Sequence, residues 1–134
     1  MFDSFRAPEH VLTKRREIAG DVYVALKYAG IPAYLMTEPL GPAGAEVEVD
    51  EANDEAGGVF INWRASPDLL QEVAEKTQSG QANAREVKLA ESISRHRRDV
   101  MVQILKEFGF SVVPFDDGIR LPAVQVLGQG ESGS

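Results

Sequence analysis

Cysteine is absent from this 134-residue chain. Its absence excludes disulfides, thiolate catalysis, iron–sulfur clusters and Cys-type zinc sites. Histidine is nearly as scarce. His10 and His96 stand alone, outside any HExxH or HxH spacing, so no metal site is expected. There is no GxGxxG, no GxxxxGK[ST], no GxSxG and no basic strand interleaved with aromatics. Nothing in the chain therefore calls for a cofactor, and a non-enzymatic role is the expectation. Long apolar runs are missing too: none approaches the roughly 18 residues that span a bilayer. Residues 1–10 lack the basic-then-apolar order of a signal peptide. These absences lead to the expectation of a cytoplasmic protein with no membrane partner.

Positive charge is lacking in one region only. Residues 1–40 hold 5 basic and 5 acidic side chains, and residues 81–134 hold 7 of each. Residues 41–80 hold 2 basic and 9 acidic, which is the whole of the net charge of −7. Nucleic acid is disfavoured as a partner of that middle segment, because phosphate contacts need the opposite sign. A basic protein surface is favoured.

What is present suffices for a core. Apolar residues make up 43% of the chain, enough for one domain over residues 1–127, followed by a Gly/Ser-rich tail at 128–134 expected to be disordered. A first helix is expected from Pro8 to Ala29, with Val11, Ile18, Val22, Ala25, Leu26 and Ala29 inward and Arg15 among the residues facing away. Gly30 closes it, and residues 33–36 read as a short strand. Two strands, 46–50 and 59–64, alternate and read as an antiparallel hairpin. Ser66-Pro67-Asp68 opens a second helix over 67–78, with Leu69, Leu70, Val73 and Thr77 inward. Asn83 and Glu86 have capping-box spacing and open a third helix to Phe108, with Val100, Met101, Ile104, Leu105 and Phe108 inward. Strands 111–115 and 119–127 follow, joined at Asp116-Asp117-Gly118, and Pro122 places the last strand at an edge or a bulge. The order α-β-β-β-α-α-β-β specifies an α+β fold: two layers, with an antiparallel sheet of four or five strands covered on one face by two or three helices. The segments ending at Gly30 and Gly109 share a Leu-Lys-x-x-Gly-apolar pattern. Any helix entering a strand tends to end this way, so the pattern does not establish a duplication.

Three clusters are candidate sites. The acidic hairpin, with Glu46, Glu48, Asp50, Asp54 and Glu55, suits a basic protein surface or a second copy of the chain as partner. It lacks the ligand order and glycine of a calcium loop. The basic run Arg95-His96-Arg97-Arg98, with Arg85 and Lys88 before it, suits an anion or nucleic acid. The competing reading is a solvated helix face neutralised by Glu86, Glu91 and Asp99. Asn62, Trp63 and Arg64 end a strand just before a helix N-terminus, where a small anionic ligand would find free amides. There the competing reading is that Trp63 fills a core edge and Arg64 pairs with a hairpin glutamate.

Overall fold

Helix α1 (Glu9–Tyr28) opens a computed structural model that describes residues 6–35, 41–53, 58–116 and 122–129. The chain continues through β1 (Ala33–Leu35), β2 (Gly44–Asp50), β3 (Gly58–Arg64), α2 (Pro67–Gln78), α3 (Arg85–Glu107), β4 (Phe110–Phe115) and β5 (Ala123–Gln129). This is the expected α+β order. The five strands form one sheet in the order β1-β2-β3-β5-β4. The sheet is mixed rather than wholly antiparallel, because β1 runs parallel to β2, Leu35 lying opposite Val47.

Register explains the layering. Val47 pairs with Ile61, and Ile61 with Val124. Val59 pairs with Val126, and Val126 with Val112. These residues share one face of the pleat and form the core with Val22 and Leu26 of α1 and Met101, Val102 and Leu105 of α3. Glu46, Glu48 and Asp50 occupy the alternate positions of β2.

Both α1 and α2 end in a Schellman turn. Gly30 takes φ 87°, its N–H bonds to the Lys27 carbonyl at 3.0 Å, and the Ile31 N–H bonds to the Leu26 carbonyl at 2.9 Å. The same pattern recurs at Gly80.

Several expectations need correction. The buried stripe of α1 includes Leu12 and Ala19, while Val11 is half-buried and Ala29 is the exposed C-cap. Arg15 does not face away. Its Nη1 donates to the carbonyls of Asp50 at 2.7 Å and Ala52 at 2.9 Å, fastening α1 to the end of β2. The Asn83–Glu86 box does not form. A turn in which the Ala84 N–H meets the Gln81 carbonyl makes Ala84 the N-cap, without a side-chain bond. Val100 and Phe108 are exposed, and Val102 takes the inward place. The last strand is neither an edge nor bulged at Pro122. It lies between β3 and β4 and begins after Pro122, and the irregularity falls opposite Ser111 and Val112. β5 runs to Gln129, past the expected start of the tail. Residues 117–121, which hold most of the expected last hairpin turn, lie outside the described residues, as do 130–134. No helix among the described residues is long and apolar enough to cross a membrane.

Candidate functional site

Helix α2 begins as its sequence dictates: Ser66 Oγ accepts from the Leu69 N–H at 3.2 Å, with Pro67 in the first turn. Its apolar side, however, is not buried. No residue of α2 falls in the buried class, and Leu70 is 45% exposed, although Leu69, Leu70, Val73 and Thr77 are expected inward. The helix packs against α3. Between this helix pair and strands β2–β3 lies a cavity of about 900 Å³.

Its walls differ in chemistry. Leu70 and Val73 of α2, Val87 and Ala90 of α3, and Trp63 of β3 supply apolar surface. Glu46, Glu48, Asp50 and Glu51 line it from the hairpin, and Glu91 from α3. Among the described residues Arg64 is the one cationic lining residue. Five carboxylates against one guanidinium leave the cavity strongly negative.

The carboxylates are not equivalent. Glu46 Oε2 accepts from Arg64 Nε at 2.9 Å and Nη2 at 2.6 Å. The Arg64 side chain is 5% exposed, and its guanidinium carbon sits 4.6 Å from the centre of the Tyr34 ring. Asp50 Oδ1 accepts from the Ala52 N–H at 2.9 Å, which turns the chain after β2. Glu51 meets Arg6 at 3.4 Å on the surface. Glu46 and Asp50 are therefore spent partly on holding the hairpin, and Asp54 and Glu55 lie outside the described residues.

The other two clusters are rearranged by the fold. The pairing of Arg64 with a hairpin glutamate is present. Trp63 is half-buried beneath Arg97, whose guanidinium carbon lies 4.8 Å from the ring centre. Asn62 lines the same cavity. Two members of the basic run of α3 also make contacts within the chain. Arg97 reaches Trp63, and Arg98 is half-buried against Asp99 at 3.1 Å. Arg85, Lys88, Arg95, His96 and Arg97 itself remain exposed.

Sequence reasoning missed the apolar wall, and it missed Glu91 as a carboxylate of the same cavity. The amphipathic pattern of α2 was visible, but what that side faces depends on how the helix pair meets the hairpin. Among the described residues no three His, Asp or Glu side chains gather as a metal-binding group. The arrangement can take up a ligand that is apolar on one side and cationic on the other. No family model matches the chain, and it has no match among curated proteins or solved structures.

Proposed function

We propose that this protein is a small, cytoplasmic, non-enzymatic adaptor that receives a basic, amphipathic segment of a partner protein between the β2–β3 hairpin and the α2–α3 pair. The observation that carries this reading is the cavity itself, mainly apolar on its helical wall and mainly acidic on its hairpin wall. Apolar side chains of the segment cover Leu70, Val73 and Val87, and its lysines or arginines meet Glu48, Asp50 and Glu91. Arg64 and Glu46 act as a neutral, fixed corner of the site rather than as partner contacts. The nucleic-acid reading of α3 has less support, since Arg98 is half-buried against Asp99 and the chain as a whole carries a net charge of −7.

Fluorescence anisotropy tests the proposal with two labelled helical peptides of identical apolar pattern, one carrying lysines and one glutamates. The basic peptide binds and the acidic one does not. Glu48→Gln with Glu91→Gln weakens binding about tenfold, and Leu70→Asp weakens it by more than that. Equal affinity for both peptides, or indifference to Leu70→Asp, overturns the reading.

A further inference from the structure

The solvent side of α1, opposite its core stripe, has a composition the isolated chain does not explain. Gly20 sits in mid-helix, where a glycine costs about 1 kcal/mol relative to alanine. A Cβ there would meet nothing within 4 Å among the described residues, so no contact with them calls for the missing side chain. One turn on is Val24, 64% exposed, and one turn further Tyr28, 85% exposed. The three form a single stripe at i, i+4 and i+8. Tyr28 is held in place by Phe108, itself 43% exposed, edge-to-face with ring centres 6.1 Å apart. Asp21 and Lys27 flank the stripe, both with contacts inside their own chain: Lys27 Nζ donates to Tyr23 Oη at 3.1 Å and keeps further donors for a second copy.

These positions are symmetric about Val24. Tyr28 and Gly20 lie four residues to either side of it, Lys27 and Asp21 three. An antiparallel second copy, related by a two-fold axis through Val24, sets each Tyr28 ring over the other copy's Gly20, where the missing side chain leaves room. It sets Val24 on Val24, and each Lys27 ammonium beside the other copy's Asp21 carboxylate. Shape and charge both close on themselves, as an isologous interface requires.

We propose that the protein forms a homodimer through the Gly20–Val24–Tyr28 stripe of α1, braced by Phe108, the C-cap of α3. This surface is separate from the acidic cavity, and the proposal does not rest on the adaptor reading. It moves self-association away from the hairpin, where the charge pattern alone would put it.

Sedimentation velocity over a concentration series at about 0.15 M salt tests this with the full chain. The wild type dimerises with a dissociation constant of roughly 1–100 µM, as expected of a small interface. Val24→Asp weakens dimerisation at least about tenfold. Gly20→Gln separates packing from folding: it raises the thermal midpoint of the dilute monomer, because glutamine favours helix in open space, and weakens the dimer, because it fills the seat of Tyr28. Asp21→Lys weakens the dimer, and adding Lys27→Asp in the same chain restores it. Circular dichroism confirms the fold of each variant. A wild type that stays monomeric through the series overturns the proposal. So does a dimer indifferent to Val24→Asp and Gly20→Gln, or a charge reversal that the second change fails to rescue.

Discussion

A guanidinium that is 5% exposed has given up nearly all its hydration, and at Arg64 only Nε and Nη2 regain a partner. Nη1 is buried with none among the described residues. Glu46 and the face of Tyr34 must therefore offset most of the cost. Removing one member of such a pair is far worse than removing both, because a lone buried charge remains. Glu46→Gln is expected to destabilise the fold by about 3 kcal/mol, read as a lower urea midpoint, while Glu46→Leu combined with Arg64→Met recovers most of the loss. A recovery of less than half would mean that the pair fixes the hairpin in some way beyond its charge. Gly44, opposite Arg64, belongs to the same corner. A Cβ at Gly44 would come within 2.6 Å of Tyr34 Cε2 and 2.8 Å of the Pro32 carbonyl oxygen. Gly44→Ala is expected to cost roughly 1–3 kcal/mol of unfolding free energy, and unaltered stability would show that Tyr34 can move aside. The sequence made a pairing of Arg64 with a hairpin glutamate readable, through the alternation of Glu46, Glu48 and Asp50. The role of Gly44 was not readable, since it depends on how closely β1 approaches β2.

Where local chemistry decides an element, the sequence marked it. Gly30, Gly80 and Gly109 all take positive φ just past their helices, and Ser66 caps α2 as its spacing implies. Where two local signals compete, it did not. Asn83 has the spacing of a cap, but the turn closed by the Ala84 N–H sets Ala84 at the start of α3. Tertiary placement hid more. Pro122 argued for an edge, but because it precedes the ladder its missing N–H costs nothing, and β5 can lie between two neighbours. Likewise α2 is amphipathic without being buried, so the cap at Ser66 has little packing to reinforce it. Ser66→Ala is expected to weaken the start of α2 by about 1 kcal/mol while moving the global urea midpoint little. Hydrogen exchange checks this. The amides of α2 exchange fastest of the three helices and faster still in Ser66→Ala, while those around Leu26 and Leu105 do not change. Equal acceleration in all three helices would mean that α2 unfolds only with the core.

At the scale of the whole molecule, the net charge of −7 acts on every association the chain makes. Two copies repel, and a basic segment is attracted. With centres about 25 Å apart, raising salt from about 0.01 M to 0.15 M removes roughly 3 kcal/mol of repulsion between copies. The exposed Asp21–Lys27 contacts across a two-fold axis are worth well under that, about 0–1 kcal/mol each, and the Val24 and Tyr28 contacts are indifferent to salt. Dimerisation should therefore strengthen as salt rises. Binding of the lysine peptide to the acidic cavity should weaken over the same range, because screening removes its attraction to Glu48, Asp50 and Glu91. Sedimentation and anisotropy over one salt series measure both. Opposite slopes identify two surfaces with different physics. If both associations weaken with salt, self-association runs through the acidic hairpin and a basic surface of the second copy, and the stripe on α1 is not the interface.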